Sequence, residues 1–138
     1  MDKFSRRALA LLPLWMVATA QATQPPALKD EGSKACTMSL SVIALRLVDA
    51  QGAPVQGATM RAWRASNKRL LAGAGAFGSA GDYKVMEDGD FPDLRPEGEA
   101  FEVEFQKDGR KKRVSLRIGM DAKRCHVKLL EGESRIVF

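Results

Sequence analysis

Histidine is nearly absent from this chain: His126 is the single one in 138 residues. One imidazole excludes metal centres and triads that require several histidines. Cysteine is as scarce, with Cys36 and Cys125 the only two, so neither a multi-bridge scaffold nor a cysteine-rich zinc cluster can be built. Long apolar runs are missing too. The one sustained run, Ala8 to Ala20, is broken by Pro13 and is too short for a bilayer core that needs about 20 residues. Charge is only mildly one-sided, at +5, which does not by itself select a nucleic-acid partner.

What the N-terminus does contain reads as an address. A basic start, MDKFSRR, precedes the short apolar run, and Ala20-Gln21-Ala22 supplies the small-x-small pattern of a cleavage site. The expectation is a signal peptide over 1–22, with Thr23 as the mature N-terminus and a periplasmic or secreted product that is not transmembrane after cleavage. No cysteine ends the apolar run, so a lipid anchor there is not expected. The leader carries Lys3, Arg6 and Arg7 against Asp2, so its removal lowers the net charge from +5 to +3. The next stretch, TQPPALKDEGSK, has paired prolines and almost no apolar residues, which predicts a flexible lead-in over 23–35. One domain is then expected over 36–138. In an oxidising compartment an even cysteine count points to a Cys36–Cys125 bridge, the alternative being two free buried thiols.

The domain reads as strands and turns. From Met38 to Val48 apolar residues alternate, with a phase slip at Val42-Ile43 that either a β-bulge or a strand buried on both faces would produce. Asp49-Ala50-Gln51-Gly52 has the Asp-first, Gly-last chemistry of a type I turn. Ala58, Met60 and Ala62 then share one face, with Thr59, Arg61 and Trp63 on the other. Asp82 to Glu87 reads as a short strand with Tyr83 and Val85 on one face. The clearest element is FEVEFQKDGRKKRVSLRI: two alternating runs around Asp108-Gly109, a strong two-residue hairpin signal. That turn fixes a register in which Val103 faces Val114, Phe101 faces Leu116, Glu104 faces Arg113 and Gln106 faces Lys111. Arg64 to Gly81 is ambiguous. Trp63, Leu70 and Leu71 are compatible with a short helix, while four glycines favour a loop.

Val48-Asp49, Gly52, Pro54-Val55, Gly57-Ala58 and Met60 together resemble the opening of carboxypeptidase regulatory-like domains, which are Greek-key sandwiches of the transthyretin-like kind. Gly81-Asp82-Tyr83, Pro96-Glu97-Gly98 and the Asp121…Cys125-His126-Val127 ending match that pattern more loosely. The resemblance implies an all-β Greek-key β-sandwich of about seven antiparallel strands. It also implies a non-catalytic accessory module, since most members are that. The hydrolases of related fold depend on several histidines and a distinctive C-terminal tail, both missing here. A self-made isopeptide is rejected as well, because Leu47 stands where the cross-linking lysine of such sandwiches would be.

Motif by motif, no chemistry accumulates. GAGAFG, Gly73 to Gly78, matches a dinucleotide fingerprint but is followed by a turn rather than a helix N-terminus. Glu87, Asp88, Asp90 and Asp93 lack the ladder of a calcium loop and read as turn chemistry. The resulting expectation is an exported, non-enzymatic binding or accessory module with no cofactor. A structural component of an envelope assembly is the alternative. Two partner surfaces are nominated. One is the loop with Leu70, Leu71 and Phe77. The other is the basic hairpin Lys107–Arg113, with Arg110 and Lys111, for anionic lipid headgroups or glycans.

Overall fold

A computed structural model describes residues 35–138, so the leader and nearly all of the lead-in lie outside the described residues. The described chain is all β. In order, the strands are β1 (Val42–Val48), β2 (Thr59–Arg64), β3 (Gly75–Ala76), β4 (Asp82–Glu87), β5 (Glu99–Lys107), β6 (Arg110–Met120), β7 (Val127–Glu131) and β8 (Arg135–Val137). They form two four-stranded sheets, one ordered β3-β4-β1-β8 and the other β2-β5-β6-β7. Eight strands replace the expected seven, because the glycine loop contributes β3. One pair also departs from the antiparallel expectation, since β8 runs parallel to β1, with Leu47 opposite Ile136. A strand as short as Arg135–Val137 carries too little pattern to reveal its direction.

Period-two alternation decides which side chains meet between the sheets. Leu45, Leu47, Tyr83 and Val85 come from the first sheet, and Met60, Ala62, Phe101, Val103, Phe105, Leu116 and Ile118 from the second; all are buried. Tyr83 and Phe105 cross the gap edge to face at 5.3 Å, a favoured aromatic geometry. The Tyr83 hydroxyl donates to the Val55 carbonyl and accepts from the Ala58 amide, so its polar end is satisfied in the core.

The phase slip at Val42-Ile43 is not a bulge in the first strand. β1 alternates regularly with Ile43, Leu45 and Leu47 inward, and Met38 and Leu40 are exposed ahead of it. The β1–β4 register shift between Ile43 and Ala44 places the extra residue on β4, at Val85. The Asp49 turn forms as its chemistry suggests, with Oδ1 accepting from the Gln51 and Ala53 amides. The β5–β6 hairpin holds the expected register from Glu99–Ile118 to Lys107–Arg110. Asp108 and Gly109 both take positive φ, as a type I′ turn requires.

Segment 65–81 closes one side of the sandwich. No part of it is helical. Its first half folds back on β2: the Arg64 amide donates to the Arg69 carbonyl, the Leu71 amide donates to Ala62, and Trp63 opposes Leu70. Its second half supplies β3, which pairs with β4. One loop thus covers a free edge on each sheet, and uncovered edges are where sheets aggregate.

Candidate functional site

Alternation in the folded-back loop separates two neighbouring leucines. Leu70 opposes Trp63 and shares its outward face, so it is 55% exposed. Leu71 comes next, opposes Ala62 and turns inward to 9% exposure, where it belongs to the core. Leu71 is therefore withdrawn from the partner surface. Phe77 is exposed at 43%, but it lies elsewhere, beside β3, where the Lys84 ammonium stands 5.9 Å from its ring.

The outer face of the second sheet joins what the sequence offered as rival surfaces. Trp63 and Arg61 stand on β2, Glu104 on β5 and Arg113 on β6, with Arg61 opposite Glu104 and Glu104 opposite Arg113. Arg113 Nη2 donates to Glu104 at 2.8 Å, and its guanidinium lies over the Trp63 ring at 5.0 Å. Leu70 and Lys68 complete an open cleft of about 390 Å³ with Arg61, Trp63, Glu104 and Arg113. Three cations and one carboxylate line it. The hydrogen bond from Arg113, together with the charges of Lys111, Arg113 and Arg61, holds the Glu104 carboxyl below its ordinary range, so that carboxylate stays ionised. Sequence reasoning named Trp63, Leu70, Arg113 and, as charge beside the loop's apolar residues, Lys68, but missed Arg61 and Glu104 as members of the site. The register it derived for Glu104 and Arg113 already held part of that signal.

Three more cations of the basic hairpin are engaged within the molecule. Lys107 donates to the Gln56 carbonyl at 2.6 Å, Arg110 lies over the Phe138 ring at 4.9 Å, and Lys111 approaches Glu104 at 3.9 Å. Lys107 and Arg110 also line an open cleft of about 400 Å³ with Pro54, Val55 and Phe138, at the turn end of the sandwich.

Two further clusters were not foreseen. Arg64, buried at the end of β2, binds Glu99 and Asp93 and stacks on Phe91. Burial alone would lower its pKa, and the two carboxylates reverse the sign, so it stays charged. At the same end, His126 Nδ1 donates to Asp88 Oδ2 at 2.7 Å, and its Nε2 meets the Thr37 hydroxyl at 2.7 Å. Asp88 also accepts from the Ser41 and Val127 amides. Burial raises its carboxyl, but the imidazole and both amides outweigh that and leave its pKa below the usual carboxylate range. The acidic run therefore serves local structure, with Asp90 accepting the Glu87 amide. Thr37, His126 and Asp88 follow the order of an acyl-transfer triad, for which one histidine suffices. Neither Thr37 nor His126 lines the cleft around Trp63 or the one at the turn end.

The cysteines meet in a Cys36–Cys125 disulfide, with Cα atoms 5.4 Å apart. The alternative of free buried thiols is excluded. Cys36 lies ahead of β1, and Cys125 closes the turn before β7, where Asp121 accepts its amide. Hydrogen bonds from the amides of Cys125 and His126 lower the Asp121 pKa against a smaller opposing effect of burial. No protein-family model, no curated protein and no solved structure matches this chain.

Proposed function

We propose that this protein is an exported, non-catalytic binding module whose recognition face is the cleft around Trp63. Its ligand is an acidic polypeptide segment carrying aliphatic side chains. The observation that supports this reading most directly is the meeting of Leu70 with Arg61, Lys68 and Arg113 around one indole. Export rests on the leader pattern, and the disulfide fits an oxidising compartment. The resemblance of Val48 to Met60 to carboxypeptidase regulatory-like domains supports an accessory rather than enzymatic role.

Chemistry favours a peptide over a sugar. A sugar ring stacks on an open aromatic face, and here the Arg113 guanidinium occupies one face of Trp63. What stays accessible is the aliphatic Leu70 among cationic donors. Carboxylates take such donors well, bidentately from arginine. Loops carried on a rigid sandwich are a usual place for binding. The hairpin tip is a weaker candidate, because most of its cations have partners inside the molecule.

The test is titration calorimetry with a synthetic Glu/Leu peptide and its Lys/Leu counterpart. Leu70→Ser and Arg61→Glu should each weaken the acidic peptide at least tenfold while leaving Tm within a few degrees. Equal affinity for both peptides, or unchanged affinity in both variants, refutes the assignment.

A further inference from the structure

The end of the sandwich opposite the hairpin tip is formed by the strap 35–41, segment 88–98 and turn 121–126. The strap bends at Met38 and is fixed at three points: the Cys36–Cys125 bond, the Thr37–His126 contact, and Ser41, whose carbonyl accepts from the Asp88 amide and whose amide donates to Asp88 Oδ2. Thr37 and Ser39 bring their hydroxyls together at 3.0 Å, and Thr37 is turned to the body of the domain. Met38 is fully exposed and Leu40 is 61% exposed.

Charge at this end is sorted by the same contacts. Asp88 and Asp121 spend their oxygens on backbone amides and His126, Asp90 on the Glu87 amide, and Asp93 and Glu99 on Arg64. The cations of the turn, Lys123 and Arg124, and Lys128 on β7, are exposed and make no ion pair among the described residues. Glu97 is the one carboxylate here whose side chain makes no bond among the described residues. The disulfide sets Met38, two residues from Cys36, beside Lys123 and Arg124, just ahead of Cys125.

We propose that this apex docks on an anionic lipid bilayer, with Met38 and Leu40 entering the headgroup boundary and Lys123, Arg124 and Lys128 facing lipid phosphates. The side chains project from the end of the domain instead of lining a groove, which suits a planar interface. Two apolar residues and three cations give reversible, salt-sensitive attachment rather than a permanent anchor. The strap clamp matters because side chains already held in the docking pose lose little freedom on binding.

The test is co-sedimentation of the exported protein with vesicles of phosphatidylglycerol and phosphatidylethanolamine, against vesicles of phosphatidylcholine alone. Binding is expected on the anionic vesicles, to be released near 1 M salt, where the screening length is about 3 Å. Met38→Ser with Leu40→Ser should weaken it at least tenfold. Lys123→Glu with Arg124→Glu should weaken it about twentyfold or more, roughly fivefold per cation removed. Both double variants should keep the wild-type Tm, and Lys112→Glu at the hairpin tip should bind as wild type. Equal sedimentation with both vesicle types overturns the proposal. Wild-type binding by the strap variant, whose residues 1–34 are unchanged, overturns it too, as does loss of binding in Lys112→Glu.

Discussion

At the residue scale, close approach and charge pairing make the sharpest demands. Gly119 lies where a Cβ would meet the Pro96 carbonyl oxygen at 2.7 Å and a Leu130 methyl at 2.8 Å. The backbone oxygen cannot swing aside. Gly119→Ala should therefore cost about 1–3 kcal/mol, as overpacking does, and chemical denaturation will measure it. Asp88 sets the acid limit of the apex. Its folded pKa lies below the unfolded value, so its contribution is complete above the ordinary carboxyl range and disappears as pH falls through the folded pKa. Asp88→Asn should lose about 2–3 kcal/mol at neutral pH, the worth of hydrogen bonds to a charged group. It should also flatten that acid branch of stability against pH. An unchanged acid branch in the variant would show that other carboxylates set the limit. None of this was legible beforehand: a lone histidine announces no partner when Asp88 lies 38 positions away.

At the element scale, legibility followed periodicity. The β5–β6 hairpin was readable to the residue because alternation and the Asp108-Gly109 turn specify the same register. The slip of phase at Val42-Ile43 was misleading, because β1 alternates regularly from Ile43 to Leu47 and the extra residue of the register shift is Val85 on β4. Segment 65–81 was not readable, since alanine and glycine give no apolar rhythm and pairing with β2 and β4 decides its form. That pairing yields a contrast between adjacent residues. Leu70→Ser should move Tm little, whereas Leu71→Ala should cost about 2–3 kcal/mol, in the range for large-to-small core changes. Thermal melts of the two proteins, side by side, will show it. Equal losses would mean that the fold-back seen at Leu70 and Leu71 is wrong.

At the scale of the whole molecule, the composition and turn chemistry made the sandwich and its bridge legible, but the meeting of distant surfaces was not. The fold-back of the loop on β2 brings Leu70 to Trp63, and the pairing of β2, β5 and β6 in one sheet brings Arg113 to both. The disulfide joins residues 89 apart, so loop closure allows a stabilisation of on the order of 4–5 kcal/mol as a ceiling. The bond ties an exposed strap to a surface turn, and none of the core cluster belongs to that strap. Replacing both cysteines with serine should therefore cost about 2–4 kcal/mol while keeping a β-type far-ultraviolet spectrum. Collapse to an unfolded spectrum would show that the strap is part of the cooperative core.

The central claim is that the Trp63 cleft receives an acidic, aliphatic peptide, and the cleft holds its own reporter. The chain has two tryptophans, Trp15 and Trp63, so a Trp15→Phe protein emits from Trp63 alone whether or not the leader has been removed. Titrating that protein with the Glu/Leu peptide should displace Arg113 from the indole and shift its emission in a saturable manner. The same titration in the Arg61→Glu background should need at least ten times more peptide. The account is contradicted if the Glu/Leu peptide binds by calorimetry while Trp63 emission stays unchanged, or if the Lys/Leu peptide produces the same shift at the same concentration.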